Sequence, residues 1–218
     1  GVVNLRPPWF FDIQQQGEGL TDVGTHLVDL VQWTLVPERS LNYRSDIRVL
    51  DGRRWPTALS RAEFRAVTGE PEFPEYLARS VRNDRLQYYC NNTVHYTIRG
   101  IHVRLEVKLG FEAAPGAGDT EFAVFRGTRS RVEVRQRKEQ NYGPEVFVVP
   151  NRPAFKPEVL AALERKVAAL GAKYPGLAVQ DAGGEIRLLI PDALRVGHEA
   201  HFTLLTNRFF EYLKKPKS

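Results

Sequence analysis

A chain of 218 residues, 42% hydrophobic and 26% charged, can bury roughly 70% of its unfolded surface and lies near the averages of soluble globular domains, which excludes a disordered, collagen-like or disulfide-stapled chain. Its formal charge of +5 arises from 31 basic and 26 acidic residues interleaved along the chain, not the concentrated patch that nucleic-acid binding needs. The single cysteine, Cys90, excludes an intramolecular disulfide and a multi-cysteine zinc motif.

No apolar run approaches the roughly 20 residues of a membrane span, and no signal-peptide pattern opens the chain. The compartment stays open between cytoplasm and periplasm. The one compact basic run, Lys214, Lys215 and Lys217, closes a predicted helix, where cations suit the dipole.

In chain order, residues 1–19 read as an extended leading segment with Pro7, Pro8, Trp9, Phe10 and Phe11, then Gly17 and Gly19. A helix is predicted over 22–35, because Leu27, Leu30, Val31 and Thr34 fall at the spacing of a buried face and Pro37 ends the pattern. Asp22, His26, Asp29 and Trp33 form a second stripe beside it. The stretch from Asp51 to Asn92 reads as irregular, an insertion or lid. It holds two short helix candidates, one opened by the capping pair Ser60 and Glu63 and one by Pro74.

From Thr93 the period becomes two. Val94, Tyr96 and Ile98 alternate with polar residues, as do Ile101, Val103, Leu105, Val107, Leu109 and Phe111, with Gly100 between the runs. Further strands are predicted at 121–126, 131–136, 145–149, 177–181 and 185–190. Helices are predicted at 157–171, on Leu160, Leu163, Val167 and Leu170, and at 197–214, on Phe202, Leu205, Phe209 and Tyr212. Short connections imply antiparallel pairing. The expectation is a single α+β domain over 1–218: an open, mainly antiparallel β-sheet with helices packed on one face.

The segment from Gly17 to Asp29 carries the most chemistry. On a helix, Asp22 and His26 are four apart and His26 and Asp29 three apart, so all three project from one side. A carboxylate beside an imidazole fixes its tautomer and suits it to general-base work near neutrality. The same residues also fit a helix cap at Asp22 and a packed histidine at position 26.

The pattern G-x-G, two residues, then D-x-G-x-H-x-x-D resembles the C-terminal-domain signature of Gfo/Idh/MocA oxidoreductases. Trp9-Phe10-Phe11-Asp12, Val28-Asp29-Leu30-Val31-Gln32-Trp33, Arg54-Trp55-Pro56-Thr57, Tyr88-Tyr89-Cys90-Asn91-Asn92 and Gly197-His198-Glu199-Ala200-His201-Phe202 narrow the likeness to the subgroup of oxidoreductase C-terminal domains. The resemblance implies a two-domain enzyme acting on a sugar, polyol or related hydroxylated compound. An N-terminal Rossmann domain, absent from this chain, would bind NAD or NADP and carry the catalytic Lys. It further implies that His26 moves the hydroxyl proton with Asp22 as its neighbour, and that the protein forms a homo-oligomer through the sheet face. Glu18 departs from the pattern, standing where many relatives have a third glycine.

Asp29, Trp9, Tyr89, Asn91 and His198 are the candidate substrate-binding residues. Aromatic faces pack on the C–H surface of a sugar ring, and Trp55 and Tyr88 share that chemistry. His198 and His201 are three apart, not the four a zincin helix needs, so no metal site is expected. His95 and His102 fall on the polar faces of adjacent predicted strands. Gly116-Ala117-Gly118 lacks the third glycine and the helix of a nucleotide fingerprint. Two alternatives are an NAD-dependent glycosidase domain, which oxidises a sugar transiently, and a noncatalytic carbohydrate-binding or oligomerisation module, which exposed apolar residues on the free sheet face would favour.

Overall fold

The computed structural model describes residues 5–37, 39–111, 113 and 116–214; Lys215 and Lys217 lie outside them. The fold is α+β, with antiparallel sheets and helices. The strands form two sheets, of four and five strands, where sequence periodicity predicts one. Each sheet belongs to its own compact unit, Gly1–Pro115 and Gly116–Ser218.

The first unit opens with a 3-10 turn, Pro8–Phe11, followed by α1 (Gly19–Asp22) and α2 (Gly24–Leu35). The region expected to be irregular instead holds the longest strands, β1 (Ile47–Leu59) and β3 (Arg85–Ile98), separated by α3 (Arg61–Thr68), a 3-10 helix (Glu75–Ser80) and β2 (Val81–Arg82). β1 escapes the period-two pattern because it pairs only with β3 and leaves Arg48 to Arg54 exposed on both faces. Its edge position also tolerates Pro56, where the register shifts between Trp55 and Thr57.

β4 (Ile101–Val107) completes the sheet on the other side of β3. Arg99 and Gly100, both at positive φ, make the two-residue hairpin turn that matches strand twist. Ser60 accepts from the Glu63 amide and Glu63 from the Ser60 amide, so the expected capping box opens α3.

Two clusters make the core of this unit. Phe11, Leu59, Phe64, Leu77, Leu86, Tyr88 and Cys90 fill one end. Tyr96, Ile98 and Leu105 lie under Leu27, Val28, Val31 and Leu35 of α2 at the other. Cross-strand partners share a face, so the register places Arg48, Asp51, Arg53, His95, His102 and Arg104 on the uncovered side.

In the second unit β5 (Glu121–Arg126), β6 (Ser130–Gln136), β7 (Glu145–Pro150), β8 (Ala178–Asp181) and β9 (Ile186–Leu189) run antiparallel in the order β5-β6-β7-β9-β8. α4 (Lys156–Leu170) lays Val159, Leu160 and Leu163 on Val148, Val179 and Ile186. Along β6, buried Glu133 accepts from Arg131 at 2.5 Å and Arg135 at 2.8 Å. Arg135 reaches Glu185 through both terminal nitrogens, at 3.0 and 2.7 Å. α5 (His198–Lys214) forms as the spacing predicts but does not pack on a sheet: residues 200–214 are all exposed.

Candidate functional site

The site is built on the short stretch that joins the 3-10 turn to α2. Gly17 has φ +89, a left-handed backbone that suits glycine. Gly19 begins α1 pressed onto β3: a Cβ there would stand 1.8 Å from the Cys90 carbonyl oxygen. The close backbone approach that this glycine permits is therefore to the chain's own strand.

α1 ends at Asp22, and α2 begins at Gly24 after a break at Val23. The His26 amide donates to the Val23 carbonyl at 3.2 Å, and the Thr25 hydroxyl to the Asp22 carbonyl at 3.3 Å, so the backbone tightens where a continuous helix was expected. Asp22 is half-buried and its carboxylate accepts from Gln16 Nε2 at 3.0 Å. Among the described residues no hydrogen bond joins Asp22 to His26. His26 and Asp29 stand exposed, in line with Trp33, 72% exposed.

The remaining candidates divide. Trp9 is 45% exposed while its neighbour Phe11 is buried against Tyr88, ring centres 5.4 Å apart. Tyr88 is thereby core. Tyr89 is half-buried with the Arg54 guanidinium 4.9 Å above its ring.

Asn91 does not face solvent. Its amide nitrogen donates to Thr57 Oγ1 at 2.9 Å and its oxygen accepts the Leu109 amide at 2.9 Å, tying β1, β3 and the segment after β4 together. Cys90 donates to the same Thr57 oxygen at 3.3 Å, and burial pushes its thiol up, away from the reactive thiolate. His95 lies opposite Arg104 and Asp51, and His102 opposite Thr97. The side chain of His198 lies outside the described residues.

Three neighbours carry no signal in sequence spacing. Glu18 pairs with Arg54, 36 positions away, so the departure from a third glycine supplies a carboxylate that holds the guanidinium on Tyr89. Asn92 is 6% exposed and its amide nitrogen has no acceptor among the described residues. It lies beside Gly19, 3.2 Å from where a Cβ would stand. Gln16 fixes Asp22.

Against known proteins, the family described as "Putative oxidoreductase C terminal domain" matches residues 1–218. The chain belongs to that family. A crystal structure described as a putative oxidoreductase from Parabacteroides merdae ATCC 43184 superposes with a TM-score of 0.89 at 42% identity, covering 99% of this chain and 49% of that one. This oxidoreductase C-terminal domain thus spans about half the length of its solved relative. No curated protein is significantly similar to it.

Gly116 and Gly118 lead through coil into β5 and not into a helix, whereas pyrophosphate recognition needs a glycine turn at a helix N-terminus.

Proposed function

We propose that this domain is the substrate-side half of an NAD(P)-dependent oxidoreductase acting on a sugar, polyol or related hydroxylated compound, with the nucleotide held by an N-terminal Rossmann half. The carrying observation is the exposed pair His26 and Asp29 beside half-buried Asp22, set on a seat that Gly19 presses onto β3. An imidazole with no hydrogen-bond partner among the described residues and open to the surface can accept a hydroxyl proton, and Asp29 one turn on can hold a neighbouring hydroxyl. Trp9 and Tyr89 offer ring faces for the apolar side of a sugar. Asn91 contributes by bracing the strands that carry Tyr89, and Asp22 by anchoring the turn before His26.

The uncovered face of the first sheet carries Arg48, Asp51, Arg53, His95, His102 and Arg104, where a purely oligomeric module calls for exposed apolar residues. The test is steady-state kinetics on full-length His26→Ala with sugars and polyols. Turnover should fall about 10²–10⁴-fold, or about 3–5 kcal/mol in barrier, with NAD(P) affinity and melting temperature little changed. Near-normal turnover in folded protein would remove His26 from the chemistry.

A further inference from the structure

We infer that the apolar stripe of α5 is the seat on which the N-terminal half of the same polypeptide docks. This rests on the two-domain reading above but goes beyond it, in assigning to a particular helix the contact between the halves.

The stripe consists of Leu205, Phe209, Phe210, Tyr212 and Leu213, each between 50% and 67% exposed. On a helical wheel, at about 100° per residue, they cover roughly 160° of the circumference. Apart from Leu204, the opposite side carries Asn207, Arg208, Glu211 and Lys214, with Arg208 and Glu211 paired at 2.7 Å. This is the pattern of a helix with one face in a core and one in water. A helix of 17 residues is barely longer than the roughly 12–15 at which isolated helices become marginal in water. Its stability therefore requires a cover over the stripe.

Two observations identify that cover. First, the stripe is broad and built of bulky aromatic rings, whereas pairing with α5 of a second copy would use the narrow seam of a coiled coil. A broad aromatic face fits the surface of a globular body. Second, the chain is a C-terminal domain and matches 49% of its solved relative, so a body of comparable size is joined to it in that architecture. Covalent linkage gives such a neighbour an effective concentration that a free partner rarely reaches. The N-terminal half should accordingly present an apolar depression to Phe209 and Leu205.

The experiment places a photo-crosslinking amino acid at Phe209 of the full-length protein, irradiates it at micromolar concentration, and maps the product by mass spectrometry. A crosslink within one chain to residues preceding Gly1 is the expected result. A crosslink between two chains, a crosslink within residues 1–214, or no crosslink above that of an exposed control at Asn207 would each overturn the proposal. In parallel, Leu205→Asp with Phe209→Asp should split a single calorimetric unfolding transition into two, because the halves no longer unfold together. An unsplit transition counts against it. NAD(P) titration of the full-length protein tests the two-domain reading separately: nucleotide binding with no Phe209 crosslink to the N-terminal half would sink the docking surface alone.

Discussion

Gly19 lies so close to Cys90 that a methyl group on its Cα would stand 1.8 Å from the Cys90 carbonyl oxygen and 2.7 Å from the carbonyl carbon. Both are backbone atoms of the central strand β3, so neither can give way cheaply. Gly19→Ala should destabilise the domain by about 3 kcal/mol or more, or abolish folded yield. Gly52→Ala is the control, because a Cβ there meets only the Thr93 oxygen at 3.8 Å, and its cost should stay within about 1 kcal/mol. Equal melting temperatures for the two variants would show that α1 slides freely over β3.

Asp12 follows Phe11 in the chain and is 5% exposed. Burial by itself would push its carboxyl up. Hydrogen bonds from the Gln15 side chain, the Gln14 amide and Arg79, together with the Arg79 charge, outweigh burial and hold it below the ordinary carboxylate range. A folded value below the unfolded one, about 3.9, means the ionised group stabilises the fold above that pH. The contribution disappears as pH falls through the folded value. Arg79→Ala should therefore cost about 1–3 kcal/mol at pH 7 and progressively less below about pH 4. Denaturant titrations of both proteins between pH 7 and 2 check this; a constant gap would assign the Arg79 effect to packing.

Asp22 accepts from Gln16 and not from His26, so Asp22→Asn keeps an amide oxygen for Gln16 and should leave the turn intact. Under the proposed function, turnover of the full-length protein should drop by about tenfold or less, well short of the loss in His26→Ala. A loss as large as that of His26→Ala would show the carboxylate acting directly on the ring.

The isolated 218-residue domain should bind NAD or NADP weakly or not at all, since Gly116 and Gly118 lead into β5 and not into a helix that could meet a pyrophosphate. Calorimetric titration measures this. Submicromolar affinity would relocate the nucleotide site to this chain.

Local chemistry in the sequence predicts much of this architecture. Pro157, the leucine stripe and Gly171 bound α4 to within about a residue, and the strands of the second unit fall close to their predicted ranges. β1 escapes because an edge strand exposed on both faces has no alternation to read. The division into two sheets escapes for a different reason: alternation records which side of a strand is buried, not which strand lies beside it. At the site, helical spacing places His26 and Asp29 on one exposed side of α2, but it misses the break at Val23 that leaves Asp22 in α1. The Gln16 anchor and the Glu18–Arg54 pair are tertiary contacts, the latter across 36 positions. Asn91 resembles a pocket amide in sequence, yet its hydrogen-bonding capacity is taken up by Thr57 and Leu109.

The alternation Gly17-Glu18-Gly19 separates what must stay fixed from what can be exchanged. The two glycines answer to backbone geometry, one through its positive φ and one through its contact with β3. The residue between them answers only to Arg54 across the surface beside Tyr89. A library that varies positions 18 and 54 together, while both glycines are kept, would recast the charge and reach of this rim without disturbing the scaffold beneath it. Varied singly, either position leaves its former partner to find another ion, so on the proposed reading a change in what this rim accepts should proceed through paired exchanges.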